Sequence, residues 1–503
     1  MKNNELGLIG LAVMGQNLVM NLADHGYKTA VFNRTAEKTE VFIEESKTAC
    51  SKPENLEPQF DIKSFVESIE RPRRILLMVQ AGAGVDAVIE SLLPHLEKGD
   101  LIADLGNSFF RDSVRREKAL ADKGILYAGI GVSGGEEGVR RGPSIMPGGS
   151  NAAQKMLEDI FRSISAEVTE ADGTSIRCSK WLGRGGSGHF VKMVHNGIEY
   201  GDMEIISEAY QLMTSQKLGT DFKLTNDQAA AAFEDWNKTE LAGFLNEITA
   251  DILKYKNPDG SALIDSILDA AGQKGTGKWT VEESFNLVRP VTVISQAVYA
   301  RGLSSMKEQR MQAAAKLSNS SIGDTAAASA LSSSSKEILT DLADAMLASR
   351  IISYTQGFSL IMAASKDYNW DLQAADLAEI WQGGCIIRSS LLTPIKMAFQ
   401  KSGTLESLLF DDYFANRITE LAPGWRRSAA RAVLWGIPVP GITAALSFYD
   451  GFRSERLPAN MIQAQRDYFG GHMYERTDKA RGEWFHTDWT GHGGKAASTA
   501  YNA

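Results

Sequence analysis

The segment Gly10-Leu11-Ala12-Val13-Met14-Gly15 constrains the fold more than any other stretch of the chain. It follows the strand-like run Leu6–Ile9 and opens into the helix-like Gln16-Asn17-Leu18-Val19-Met20-Asn21-Leu22. A Gly-x-Gly-x-x-Gly spacing between a strand and a helix, here with alanine in the middle, is the turn of a dinucleotide-binding βαβ unit. Gly10 permits the tight turn, Ala12 is small enough for a pyrophosphate to approach the backbone, and Gly15 lets the helix pack on the strand. The helix N-terminus then offers free N–H groups and a partial positive charge to the phosphates. The competing reading is an ordinary glycine turn in an α/β domain. The position of the motif, between the first strand and the first helix, favours the nucleotide.

The second strand-like run, Thr29–Phe32, ends at Asn33-Arg34-Thr35. An NAD enzyme places an acidic residue about 20 residues past the glycines to hold the ribose 2′-hydroxyl. Here Arg34, flanked by two hydrogen-bonding side chains, suits a 2′-phosphate, so the expected cofactor is NADP. A solvent-facing loop arginine is the alternative.

Further runs at Ile75–Val79, Leu101–Asp104 and Ile125–Ile130 alternate with helix-period segments such as Asn17–His25 and Val85–Glu97. This rhythm predicts a mainly parallel sheet with helices on both faces. From about residue 187 strand-like runs become rare. Gly188–Lys217, Gln228–Lys254, Val281–Arg301 and Lys336–Ala364 read as long helices, with the Ser/Ala-rich Ser318–Ser335 as a helix-flanking loop or excursion. Tyr200 with Trp236, and Tyr354 with Trp381, hint at an internal repeat. After about residue 446 aromatics, Gly, His and Arg accumulate in a segment too short for its own core and too aromatic for a disordered tail. The expected division is 1–186 (cofactor-binding, Rossmann-like), 187–445 (all-helical, for substrate binding and dimerisation) and 446–503 (a tail lying on its own body or on another subunit).

At 503 residues the chain is too long for one ordinary core. Its net charge of −9 disfavours a broad nucleic-acid surface, so cations that bind an anionic substrate must be local. Cys50, Cys178 and Cys385 form no metal-ligand spacing, and with no signal-like N-terminus or bilayer-length apolar run they point to a reduced, cytoplasmic protein without metal or membrane.

The stretch Gly185 to Gly201 carries the chemistry. On a helical period Lys192, Asn196 and Glu199 share one face with His195 beside them, while Phe190, Val191, Val194 and Ile198 lie elsewhere. A lysine in a partly dry cleft loses its proton readily and can act as a base; a glutamate there holds a proton it can donate. A solvated surface Lys–Glu pair is the alternative.

Together these motifs resemble the family of decarboxylating 6-phosphogluconate dehydrogenases of the oxidative pentose-phosphate pathway. The matching stretches run nearly end to end: Gly7–Leu18, Asn33–Thr35, Asp104–Ser108, Gly131–Gly138, Arg141–Ser144, Phe190–Tyr200, Lys274–Trp279, Tyr299–Arg301, Leu457–Asn460 and Gln465–His472. The resemblance implies a Rossmann-like domain, a large all-helical domain with an internal duplication, and a tail that reaches a second subunit of a homodimer with shared active sites. It implies 6-phosphogluconate as substrate, NADP as cofactor, Lys192 as general base and Glu199 as general acid. It further implies substrate contacts from Asn107, Ser133, Gly134, Gly135, His195, Asn196, Tyr200, Lys274, Arg301, Arg466 and His472, the last two from the partner's tail. Around the cofactor it implies Gly10, Leu11, Ala12, Val13, Met14, Gly15, Asn33, Arg34, Thr35, Val79, Gln80, Ala81 and Asn107. One departure is Gln80, where relatives carry lysine. A shorter β-hydroxyacid dehydrogenase of the 3-hydroxyisobutyrate type shares the glycine turn and the helix lysine but has neither the second helical half nor the Arg466/His472 tail. A catalytically silent NADP-binding scaffold is countered by the intact Lys192/Glu199 pair.

Overall fold

The computed structural model describes residues 4–170, 172–215, 222–317 and 333–492. These divide into two compact units, Met1–Ala445 and Leu446–Ala503.

The first unit opens with a seven-stranded sheet of order β3-β2-β1-β4-β5-β6-β7. The strands are β1 (Leu6–Ile9), β2 (Thr29–Phe32), β3 (Leu56–Gln59), β4 (Arg74–Leu77), β5 (Leu101–Asp104), β6 (Leu126–Ser133) and β7 (Ser144–Gly149). All neighbours are parallel except β6 and β7. The connecting helices are α1 (Val13–Asp24), α2 (Ala36–Ala49), α3 (Ile62–Glu67), α4 (Ala83–Leu92), α5 (Phe110–Ala121), α6 (Gly135–Arg141) and α7 (Asn151–Ile164).

Period-two alternation sorts the strand side chains into two cores. Leu76, Leu101 and Ala103 pack with Leu18, Leu22, Phe42, Leu157 and Phe161 of α1, α2 and α7. Ile75, Leu77 and Ile102 pack with Phe65, Val85, Ile89 and Leu120 of α3, α4 and α5 on the other face. The strand order reverses between β1 and β4, which opens a crevice at the carboxyl ends of the strands. The expected α/β domain is therefore present, and three short pieces were not anticipated. β3 is mostly polar and lies at the sheet edge, β7 is rich in Gly, and the two-stranded ribbon β8 (Glu167–Thr169) and β9 (Ser175–Arg177) is only three residues wide.

The rest of the first unit is helical: α8 (Ser187–Thr214), α9 (Asn226–Trp236), α10 (Phe244–Lys254), α11 (Thr276–Asn286), α12 (Thr292–Ser305), α13 (Lys307–Leu317), α14 (Ser335–Asp367), α15 (Ala374–Ile380), α16 (Leu392–Lys401), α17 (Asp412–Leu434) and the start of α18 (Pro440–Phe452), which runs on past Ala445 into the second unit. Two of the expected long helices are broken. Gln228–Lys254 is interrupted where the Asn237 side chain accepts from the Gly243 N–H, turning the chain between α9 and α10. Val281–Arg301 is interrupted ahead of Pro290, which cannot donate to a helix ladder, and Val288 there takes a left-handed φ of 49°. Of the Ser318–Ser335 stretch, positions up to 332 lie outside the described residues; Ser334 caps α14, exchanging hydrogen bonds with Glu337.

α8 and α14 form the spine of this half. Arg350 of α14 is buried and donates to Asp202 of α8 at 2.7 Å, to the Leu241 carbonyl at 3.0 Å and to Asn246 at 3.2 Å, so one guanidinium ties three elements. Tyr354, one turn further on, donates to the Ile387 carbonyl at 2.7 Å and so holds the connection between α15 and α16. Tyr354→Phe leaves that buried carbonyl unmatched and is expected to lower unfolding free energy by about 1–3 kcal/mol, read from the urea midpoint.

In the second unit α19 (Ala459–Gly470) precedes a two-stranded ribbon, β10 (Tyr474–Glu475) and β11 (Trp484–Phe485). Asp467 is its hub. It is fully buried and accepts from the Met473 and Thr487 N–H groups, His486 Nδ1 and Trp489 Nε1 at 2.8–3.1 Å. Burial alone would raise this carboxyl, but these donors hold it below its usual range.

Candidate active site

The cofactor crevice starts at Gly10, whose φ of +106° is open to glycine and strained for other residues. A Cβ there would also run into the Met78 carbonyl. The turn delivers Ala12 and Val13, both exposed, to the N-terminus of α1, where no side chain caps the helix. Its first N–H groups are therefore free for phosphate oxygens. Asn33 accepts from the Leu11 N–H at 3.2 Å and donates to the Thr35 carbonyl at 3.2 Å, locking the end of β2 beside the glycine turn. Arg34 is exposed and makes no ion pair among the described residues. Met14 is half-buried; Val79 and Ala81 are half-buried and Gln80 exposed at the end of β4. Asn107 is exposed beyond β5, above a buried network in which Asp104 accepts from Ser108 at 2.6 Å and Tyr127 at 3.1 Å. A bare helix N-terminus, a strained glycine and an unpaired arginine at the end of β2 fit a dinucleotide carrying a 2′-phosphate.

The second cluster forms where α8 crosses the β6–β7 pair. Small residues make the crossing possible. A Cβ on Gly188 would strike the Gly129 and Met146 carbonyls, and one on Gly131 would strike the Lys192 stem. α8 therefore lies close enough to set the Lys192 stem against Gly131 of β6 and His195 beside Ser133 at its end.

Lys192 is only 6% exposed, so it is no member of a solvated surface pair. Its Nζ lies 3.4 Å from His195 Nδ1. His195 Nδ1 also faces Asn196 Oδ1 at 3.1 Å and Glu199 Oε2 at 3.9 Å. His195 Nε2 faces Ser133 Oγ at 3.2 Å and Cys385 Sγ at 3.3 Å. The Asn196 amide hydrogen-bonds the Thr276 hydroxyl at 3.2 Å, and Thr280 donates to the Met193 carbonyl at 2.9 Å, so α11 docks on the same helix.

Electrostatics follow burial. Desolvation lowers the Lys192 pKa below the usual lysine value, against the pull of the Glu199 carboxylate. Desolvation raises Glu199, against Lys192 and Arg301. Burial, then the neighbouring Lys192 charge, pushes His195 well below the usual histidine range, so it is neutral at pH 7. A lysine and a glutamate with displaced protonation equilibria thus stand two helical turns apart on one face.

Around them, the Arg301 guanidinium lies 3.6 Å from the Tyr200 ring centroid and donates to the Gly272 carbonyl at 3.0 Å. Lys274 is exposed just ahead of α11. Gly134 and Gly135 follow Ser133 with positive φ and turn the chain into α6. Arg466 and His472 belong to the second unit, where Arg466 donates to Gln463 at 3.1 Å and the His472 ring meets Phe469 edge-on. Sequence reasoning missed Cys385 and Ile386 as members of the cluster, and touched Thr276 only within the Lys274–Trp279 stretch and Trp381 only as part of a possible repeat. All reach the cluster from remote segments.

The description "NAD binding domain of 6-phosphogluconate dehydrogenase" matches residues 5–173, and "6-phosphogluconate dehydrogenase, C-terminal domain" matches 188–489. The decarboxylating 6-phosphogluconate dehydrogenase of Mus musculus is 50% identical over 503 residues, covering 100% of both chains. That of Cunninghamella elegans is 48% identical over 499 residues, covering 99% of each. A solved Plasmodium falciparum 6-phosphogluconate dehydrogenase, studied in apo form and in complex with its cofactor NADP+ and its substrate 6-phosphogluconate, superposes with a TM-score of 0.88 at 39% identity. It covers 96% of this chain and is itself covered completely. With both domain descriptions matched and end-to-end identity near one half, the glycine turn and the Lys192–Glu199 helix belong to one protein of known kind: the chain is a member of the 6-phosphogluconate dehydrogenase family.

Proposed function

We propose that Lys192 and Glu199 carry the chemistry of the decarboxylating 6-phosphogluconate dehydrogenase activity that family membership gives this chain. The reaction converts 6-phosphogluconate to ribulose 5-phosphate and CO₂ and reduces NADP to NADPH. The observation that carries the assignment is the buried, desolvated Lys192 on the helix face that also bears Glu199.

Bound at the crevice, NADP would lie on Gly10, Leu11, Ala12, Val13, Met14 and Gly15, with Asn33, Arg34 and Thr35 on its 2′-phosphate and Val79, Gln80, Ala81 and Asn107 alongside. It supplies the hydride acceptor. Neutral Lys192 takes the proton of the 3-hydroxyl as C3 is oxidised. The product is a β-keto acid, and the Lys192 ammonium now polarises its carbonyl, so the electrons of the breaking C1–C2 bond have somewhere to go. Glu199, whose carboxyl is raised by burial, then donates its proton to C1 of the enediol as the C2 hydroxyl gives up its proton to Lys192. Neutral His195 and Asn196 hydrogen-bond the sugar-acid hydroxyls. Ser133, Gly134 and Gly135 offer donors to the carboxylate, and Lys274, Arg301 and Arg466 suit the phosphate. His472 joins them from the tail. NADPH absorbance with 6-phosphogluconate, alongside trapped CO₂, tests the activity; NADPH formed without CO₂ would point to a simple β-hydroxyacid dehydrogenase.

The working form is a cytoplasmic homodimer in which Arg466 and His472 complete the partner's site. The exposed Met461, Ile462, Tyr468 and Phe469 of the second unit support this, since apolar groups left in water cost free energy that burial against a partner removes. Sedimentation should give a dimer. Lys192→Ala and Arg466→Ala chains, each inactive alone, should recover roughly a quarter of wild-type activity when co-expressed, because half the dimers are mixed and each has one whole site. No recovery in mixed dimers of proven composition would place both residues in a single chain's site.

A further inference from the structure

We propose that Cys385 is a positioning residue that fixes the tautomer of His195 and thereby sets how readily Lys192 holds its proton. The proposal rests on the assignment of Lys192 as base and adds a residue that touches neither substrate nor cofactor in that scheme.

Cys385 lies on the connection between α15 and α16, fully buried. Its thiol hydrogen is directed to the Trp381 carbonyl, with Sγ 3.4 Å from that oxygen. The sulfur therefore presents lone pairs to His195 Nε2, 3.3 Å away. Burial raises the thiol to about 12, so it stays a thiol and keeps that hydrogen. Ser133 Oγ, the other neighbour of Nε2, accepts from the Ile386 N–H at 3.4 Å and has a second lone pair that can accept from Nε2–H at 3.2 Å as well. An acceptor-only sulfur is matched by an Nε2–H donor. A neutral imidazole with hydrogen on Nε2 has a lone pair on Nδ1.

That lone pair faces Lys192 Nζ at 3.4 Å. The Asn196 amide also faces Nδ1, and turning it by half a revolution lets its NH₂ donate there while its oxygen accepts from the Thr276 hydroxyl. The groups facing His195 are then Lys192, Asn196 and Glu199 from its own helix, Ser133 from β6, and Cys385 with the Trp381 ring from the far connection. Of these only Lys192, Glu199 and Cys385 titrate. An Nδ1 lone pair stabilises the Lys192 ammonium; an Nδ1–H would oppose it. Removing the sulfur acceptor frees the ring to adopt the opposing tautomer, which favours neutral Lys192 and weakens the cation that polarises the 3-keto group.

The test is the pH profile of kcat/KM for Cys385→Val, which keeps the volume without the acceptor, and for Cys385→Ser, which keeps a group able to donate to Trp381 and accept from His195. For the valine variant the acid limb should move down by about half a pH unit or more, with kcat reduced about 5- to 10-fold and KM changed less. The serine variant should return towards the wild-type profile. An unmoved or raised acid limb in the valine variant overturns the proposal, as does an equal displacement in both variants, which would mark a packing effect. If circular dichroism shows the valine variant unfolded, Cys385→Ala is read by the same criteria. Lys192→Ala run in parallel separates the two claims. Retained turnover there removes the base assignment, whereas an inactive Lys192→Ala beside an unmoved Cys385 variant removes only the role of the thiol.

Discussion

Replacing Lys192 with alanine is expected to lower kcat by about 10³- to 10⁴-fold while leaving NADP affinity unchanged. A positioned base contributes about 10²–10⁴-fold, and the same amine in its charged form also stabilises the developing enediolate, so both contributions go together. The proposed cofactor contacts stand elsewhere, on the glycine turn and the ends of β2, β4 and β5, so binding has no reason to change. The variant also leaves a gap against Gly131, where the lysine stem packs. Lys192→Met fills most of that gap and should be as inactive as the alanine variant, which separates chemistry from packing. Single-turnover NADPH absorbance gives the rate and fluorescence titration the affinity. A kcat within about tenfold of wild type in both variants would remove the base from this position. Because burial lowers the lysine pKa, the acid limb of the wild-type kcat/KM should fall below the range in which a solvated lysine titrates.

Reversing the charge at Arg34 should change cofactor choice by about two to three orders of magnitude without touching stability. Arg34 is exposed and pairs with no acid among the described residues, so the folded chain loses nothing when it is replaced. A 2′-phosphate, however, loses charge-assisted hydrogen bonds of about 1.5–3 kcal/mol each and meets a carboxylate instead. A ribose 2′-hydroxyl can donate to that carboxylate, as in NAD enzymes. In Arg34→Glu, kcat/KM for NADP should therefore collapse while that for NAD holds or rises. An unchanged ratio of the two would show that the guanidinium does not meet the phosphate. Gln80 bears on the same measurement: its neutral side chain, exposed just past β4, supplies no cation to the proposed cofactor site.

Much of the architecture was legible because its signals are local. The parallel sheet announces itself through short apolar runs separated by amphipathic helices, and the cofactor turn through glycines whose conformations other residues resist. Elements with weak local signals were not legible. β3 reads Leu-Glu-Pro-Gln, and an edge strand with one buried residue carries no hydrophobic run. The breaks after Trp236 and ahead of Pro290 interrupt helical composition that is otherwise continuous, and the first depends on one Asn237–Gly243 hydrogen bond.

The sequence alone was enough for the sheet, the NADP-type crevice and the helix face bearing Lys192, Asn196 and Glu199, because each depends on residues within a turn or two of one another. Whether that face is wet or dry, on which the base role proposed for Lys192 depends, was decided by the fold. Only the close crossing of α8 over Gly131 and the return of the Trp381–Ile386 connection strip water from the amine and place a sulfur behind His195. Desolvation is the sum of everything packed around a group, and those neighbours come from segments up to about two hundred positions apart, which no local pattern can register.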